Sequence, residues 1–176
     1  MRKLILPAFL VAILLSACSK GHNVDENFHV NFTANGVNKS FTGHVLAHRD
    51  TVGNYYSLTI IGTNTPTSVD NYMSIYIDNK SGSGRFNAGE YPDNATNFSV
   101  LTNYTVSSIE NQAGESVAED ATYYGVTIPH HFKVTITAID NNTIRGTFSG
   151  DYYHDGDVHT PVTYNITNGD FYAKFQ

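Results

Sequence analysis

The stretch FKVTITAIDNNTIRGTFSGDYY, residues 132–153, decides the fold class of this chain. Apolar side chains occupy every second position from Phe132 to Ala138, and lysine and threonine lie between them. This period of two is typical of a strand with one buried face. Residues 140–142 are polar and predict a turn, after which residues 143–153 alternate in the same way. The stretch therefore predicts an antiparallel hairpin.

The pattern continues to the C-terminus. Residues 162–166 and 171–175 each place apolar side chains on one parity, and Asn168-Gly169 between them is a strong signal for a two-residue hairpin turn. Together with the hairpin of residues 132–153, these segments predict a four-strand antiparallel meander.

The upstream residues carry the same signals. Residues 49–54 are predicted to form a polar turn, and residues 107–122 a mobile acidic loop with no more than a turn or two of helix. We predict an all-β fold, an antiparallel β-sandwich, with an up-and-down lipocalin-like β-barrel as the alternative. The predicted upstream strands cover residues 28–33, 37–48, 55–62, 72–78, 86–92 and 97–106.

The N-terminus has the features of a bacterial lipoprotein signal. Two basic residues precede an apolar stretch of residues 4–15, which is too short to cross a bilayer as a helix. Small residues then lead to Cys18, the single cysteine of the chain. We expect cleavage between Ala17 and Cys18, and lipidation of Cys18. Ser19 in place of aspartate favours the outer membrane over the inner one.

This interpretation divides the chain into a signal peptide, residues 1–17, a lipidated tether, residues 18–27, and a single all-β domain, residues 28–176. Loss of Arg2 and Lys3 with the signal changes the net charge from −6 to about −8. So acidic a chain lacks the basic surface that nucleic acids require, and no nucleic-acid partner is expected. The membrane is therefore predicted to be contacted through the lipid on Cys18.

Two C-terminal segments carry a family resemblance. GTFSG, residues 146–150, and ITNGDF, residues 166–171, together with the signal, resemble small uncharacterised lipoproteins of Bacteroidota. The resemblance implies a β-sandwich-like fold and a location in the cell envelope. It carries over no functional residue.

One histidine-rich segment is the candidate metal site. Histidine nitrogens and carboxylate oxygens are common ligands of divalent metals. If the predicted hairpin forms, two further histidines lie at the same end of it. No other cofactor is expected. The candidate ligands are His154, Asp155, Asp157, His159, His130 and His131.

Two other features suggest contacts at the surface. Tyrosines occur in pairs at residues 55–56, 123–124 and 152–153, and neighbouring strand residues face opposite sides, so each pair is expected to place one ring inward and one outward. An outward ring can pack on a protein or glycan partner, although ordinary sheet packing also explains the pairs. Thr51, within Asp50-Thr51-Val52, resembles the O-glycosylated triplet of Bacteroidota envelope proteins.

No nucleophile motif, phosphate-binding glycine loop or paired catalytic carboxylates occur in the sequence, so no catalytic residue is assigned and no enzyme is predicted. We expect a lipid-anchored outer-membrane domain with a non-catalytic binding or structural role. A small-ligand carrier with a barrel cavity is the first alternative, and a metal-dependent enzyme is the second.

Overall fold

The computed structural model describes residues 27–67, 70–79 and 85–176. The predicted signal peptide, the cleavage site at Ala17 and Cys18, and residues 18–26 of the predicted tether lie outside the described residues.

Eleven strands and one helix form within the described residues. In chain order they are β1 (His29–Ala34), β2 (Val37–Phe41), β3 (His44–Val52), β4 (Tyr55–Thr63), β5 (Asn71–Asn79), β6 (Gly89–Pro92), β7 (Phe98–Val106), β8 (Ile109–Gly114), α1 (Glu115–Tyr124), β9 (Lys133–Ile139), β10 (Thr143–His154) and β11 (Tyr164–Phe175).

The strands form one hydrogen-bonded sheet in the order β2-β1-β11-β3-β4-β5-β7-β8-β10-β9-β6, and β10 also pairs with β11. This additional pairing links seven strands, from β11 through β3 to β10, into a closed ring of neighbours. The pairings are antiparallel except for a short parallel contact between β11 and β3. The prediction of an antiparallel all-β fold is therefore confirmed.

The two hairpin-like extensions of the sheet, β1–β2 and β6–β9, cover the same core as the ring. The side chain of Val30 on β1 lies so close to Gly62 of β4 that a Cβ added there would be 2.7 Å from it. The sheet therefore packs face to face, as in a sandwich. All eleven strands contribute to one buried cluster, whose largest fully buried side chains include Tyr152, Phe132, Phe171 and Leu58.

Glycines on β10 and β11 allow phenylalanine rings to lie directly on the backbone. Gly146 pairs with Phe171 across the strands, and a Cβ on Gly146 would lie 2.4 Å from that ring. Gly169 pairs with Phe148 in the same way, at 2.8 Å. Gly and aromatic residues in register stabilise a sheet because the ring covers the exposed backbone.

The predicted turn at Asn168-Gly169 is wrong, because β11 is one continuous strand with a bulge there. Two steps along β10, from Phe148 to Gly150, face three steps along β11, from Gly169 to Ile166. The extra residue is accommodated by Asn168, whose φ of 51° is left-handed. Asparagine followed by glycine favours this conformation in a bulge as well as in a hairpin turn. The C-terminal segment therefore contains three strands rather than four.

The loop predicted for residues 107–122 is also wrong, because β8 and the ten-residue helix α1 occupy it. Local sequence explains little of the helix, since its N-cap is Gly114 without a side-chain hydrogen bond. Its buried side chains instead pack on Tyr153 and Val158 in a second apolar cluster. The helix residues buried in that cluster are Val117, Ala118 and Ala121.

Within the described ranges, no helix is both long and apolar enough to cross a membrane.

Substitution of Gly169 by alanine tests the contact between glycine and phenylalanine. The added methyl group would lie 2.4 Å from the carbonyl oxygen of Phe148, so the strands must separate locally. We expect the free energy of unfolding to fall by about 1–3 kcal/mol, as is typical of overpacking, in urea denaturation followed by circular dichroism. Thr147→Ala, at an exposed neighbouring position, should change it by less than about 0.5 kcal/mol. Equal stability of the two variants would show that the close approach of Gly169 to Phe148 does not contribute to stability.

Candidate functional site

A pocket of about 390 Å³ opens at one end of the core. We call it the Arg49–Arg85 pocket. It is bounded by the ends of β3 and β4, by residues 85–87, and by the turn at residues 139–141. The described residues that line it include two arginines, but no histidine or cysteine.

Arg49 belongs to β3 and not to a turn, because β3 extends to Val52. Val45 and Ala47 are buried on one face of this strand, and Arg49 follows them on the same parity. Its guanidinium lies 3.5 Å from the centre of the Phe175 ring and donates a hydrogen bond to the carbonyl oxygen of Asp140. Arg49 therefore continues the parity of the buried row, but it is itself exposed at the mouth of the pocket.

The electrostatics of the pocket reflect two neighbouring cations. Burial lowers the pKa of Arg49, and the positive charge of Arg85 lowers it further, whereas Asp140 raises it. None of the ion pairs between described residues includes Arg85. Among the described residues, the guanidinium of Arg85 therefore has no carboxylate partner.

Neutral groups complete the lining. Thr51, Ser57 and Asn141 contribute hydroxyl and amide groups, and Phe86 contributes a buried ring. The side-chain amide of Asn87 donates to the carbonyl oxygen of Arg85 at 3.1 Å, which ties this part of the wall together. The arrangement can supply several hydrogen-bond donors to one ligand.

Two buried aspartates hold the segment before β9. Asp151 accepts a hydrogen bond from the backbone N–H of His130 at 2.9 Å, and Asp93 accepts one from Phe132 at 2.9 Å. The His130 ring lies 3.1 Å from Asp151, and the His131 ring lies 3.0 Å from Asp93. Each of these two candidate metal ligands therefore contacts a different carboxylate, and both carboxylates are almost completely buried.

The remaining candidate metal ligands make separate local contacts. His154 lies 3.3 Å from Asp155, and Asp157 accepts a hydrogen bond from the backbone N–H of His159. The His159 ring packs on Tyr124, with 4.6 Å between ring centres. In the described part of the chain, no three histidine, cysteine, aspartate or glutamate side chains are arranged to hold a metal ion. The structure does not bring the six predicted ligands together.

The expected inward and outward placement describes only some of the tyrosine pairs. In residues 55–56, one ring is exposed and the other is half-buried. Tyr123 and Tyr124 are 81% and 56% exposed, because they end a helix and not a strand. Tyr152 and Tyr153 lie on opposite faces of β10, yet both are buried, since α1 covers the outer ring. Tyr123 and Tyr124 are therefore the exposed aromatic pair.

The sequence singled out Thr51 as a possible O-glycosylation site, but it did not indicate the pocket that Thr51 lines. Arg49 and Arg85 lie 36 positions apart, and Arg49 lies in the segment predicted as a turn. The available signal was the parity of Arg49 with the buried Val45 and Ala47, which continues β3 beyond His48. The lipidation site, Cys18, is not among the described residues.

A comparison of the chain with models of protein families, with curated proteins and with solved structures found no match in any of the three.

The buried carboxyl of Asp93 is expected to make stability depend on pH. Burial raises its pKa, although its bonds to Phe132 and His131 act in the opposite direction. The folded state therefore binds this proton more tightly than the unfolded state does, and ionisation lowers stability as the pH rises above about 3.9. We therefore compare the free energies of unfolding of the wild-type protein and of Asp93→Asn, from urea denaturation at several pH values. The wild-type value minus the variant value should fall as the pH rises above about 3.9.

The control for the charge change alone is Asp155→Asn, at an exposed carboxylate. A wild-type minus Asp93→Asn difference that rises with pH, or that does not change, would contradict the assignment of a raised pKa to Asp93.

Proposed function

We propose that this protein is a lipid-anchored domain of the bacterial cell envelope with a non-catalytic binding role. The signal-like N-terminus and the single cysteine, Cys18, support the anchor. Ser19 after the cysteine favours the outer membrane. The mature domain is strongly acidic, which supports attachment through the lipid and not through basic patches.

The binding role is supported by a filled interior together with a pocket that is open at the surface. Side chains from every strand fill the interior, where the rings of Phe32, Phe148 and Phe132 are in contact with their neighbours. The Arg49–Arg85 pocket, by contrast, opens at the surface and is lined by both polar and apolar side chains. Binding at the surface is therefore favoured over storage of a ligand inside the fold.

The filled interior also separates this proposal from its alternatives. A carrier of the lipocalin type needs an internal cavity, whereas aromatic rings occupy the centre of this fold. The described lining of the Arg49–Arg85 pocket contains hydroxyl groups and carboxylates, but neither histidine nor cysteine, and the sequence contains no nucleophile motif. These features support a binding domain whose partner is a small molecule, a glycan or a protein.

Substitution of Cys18 by serine tests the anchor. The variant loses the thiol that would carry the lipid, so it should move from the detergent-rich to the aqueous phase in Triton X-114 partition of expressing cells. Its circular dichroism spectrum and melting temperature should match those of the wild-type protein, because Cys18 precedes the residues of the sheet.

Ser19→Ala is the matched control, and it should remain in the detergent-rich phase. A Cys18→Ser protein that has lost the signal peptide, as shown by its mass, and still enters the detergent-rich phase would refute the lipid anchor. A variant that loses its spectrum would show that the anchor and the fold are not separable.

A further inference from the structure

We infer that the Arg49–Arg85 pocket binds an oxyanion group, a carboxylate or a phosphate, carried by a small acidic molecule. This inference rests on the proposed binding role and names the chemical class of the ligand. Guanidinium groups suit such ligands because their planar N–H donors match two oxygens of a carboxylate or phosphate at once.

Arg49 is already fixed in position for this task. Its guanidinium lies on the Phe175 ring, 3.5 Å from the ring centre, and donates to the carbonyl oxygen of Asp140. One face and one N–H are thereby engaged, whereas a guanidinium has five N–H donors. A ligand that binds the others does not have to restrict a freely rotating side chain, and so loses less entropy on binding.

Arg85 brings a second cation to the same pocket. Both arginines line the pocket, and the charge of Arg85 is the smallest of the three influences on the pKa of Arg49, after burial and Asp140. None of the ion pairs between described residues involves Arg85. Two like charges that share a pocket repel each other, and an anion between them would relieve that repulsion.

Neither of the two carboxylates at the pocket forms an ion pair with Arg85, although the charge of Asp140 also acts on Arg49. Asp140 accepts hydrogen bonds from the backbone N–H groups of Asn142 and Thr143, at 2.7 and 2.8 Å, in its own turn. Asp50 lies 3.0 Å from the ring of His48. Neither of these aspartates pairs with Arg85, so a carboxylate from outside the chain can take that position.

The size and walls of the pocket indicate a small ligand. About 390 Å³ is at the lower end of the range for small-molecule sites. Thr51 and Asn141 add neutral donors, and Phe86 and Ile139 add apolar surface against which a short carbon skeleton can pack. These walls suit an organic acid or a phosphorylated metabolite better than a long polymer.

Packing alone does not explain the pair of arginines. Arg145 shows what a structural arginine looks like in this fold, because its guanidinium lies 3.9 Å from the ring centre of Tyr172 and it does not line the pocket. Arg49 makes the same kind of contact with Phe175, but Arg85 lines the same pocket and adds a like charge without forming an ion pair with any described residue. Arg145 is therefore the matched control.

Isothermal titration calorimetry of the full chain in non-ionic detergent tests the inference, with citrate and inorganic phosphate as separate probes at roughly 0.15 M ionic strength. We expect at least one probe to bind the wild-type protein with a Kd below about 1 mM. Arg85→Gln should weaken that binding by about tenfold or more, because it removes a charge-assisted hydrogen bond. Arg145→Gln, with the same change of charge, should weaken it by less than about twofold.

Binding of citrate alone would assign the carboxylate, and binding of phosphate alone would assign the phosphate; either result supports the inference. Absence of heat with both probes would overturn it, and so would equal weakening by Arg85→Gln and Arg145→Gln, because the effect would then come from net charge and not from the pocket. Melting curves of the three proteins confirm that each is folded. The Triton X-114 partition of Cys18→Ser decides the anchor independently, so failure of the pocket is distinguishable from failure of the proposed function.

Discussion

The pairing of β10 with β11 is the interaction on which the rest of the structure depends. It connects β11, the third strand in the order, with β10, the ninth, so that the seven strands from β11 to β10 become neighbours in a closed ring. Close approach is possible because Gly146 and Gly169 each face a phenylalanine ring of the other strand. Burial of those rings contributes to stability, and the bulge at Asn168 lets β11 keep its inward face on both sides of the irregularity.

The Arg49–Arg85 pocket is a consequence of that closure. β11 ends beside β3, where Phe175 pairs with Ala47, and this brings the Phe175 ring under Arg49. The turn between β9 and β10 lies at the same end, so the carbonyl oxygen of Asp140 reaches the same guanidinium. Three segments that are distant in sequence thus fix one side chain. Because the cation is held by elements of the closed ring, its position depends on the fold as a whole and not on a mobile loop.

The sequence predicted the strands well, because alternation such as that of Val134 and Ile136 depends only on which face is buried. It could not distinguish a bulge from a turn at Asn168, since the same left-handed conformation serves both. Helix α1 was missed because burial on Tyr153, which is a tertiary contact, stabilises it more than its own sequence does. The pocket was missed for a related reason. Arg49 and Arg85 line the same pocket only after the sheet has formed, and no local sequence pattern indicates that they come together.

The entry point of the chain bears on which ligands can reach the pocket. Phe28 packs on Tyr172, with 4.9 Å between ring centres, and His29 pairs with Tyr172 near the end of β11. Phe175, under Arg49, follows only three residues later, a distance of about 10 Å along a strand. The beginning of β1 and the pocket therefore lie at the same end of the domain. In the lipid-anchored form that we propose, the nine residues 18–26 can span at most about 30 Å, so the pocket would open toward a narrow space above the membrane. Such a position favours a small diffusible acid over a bulky polymer, in agreement with the size of the pocket.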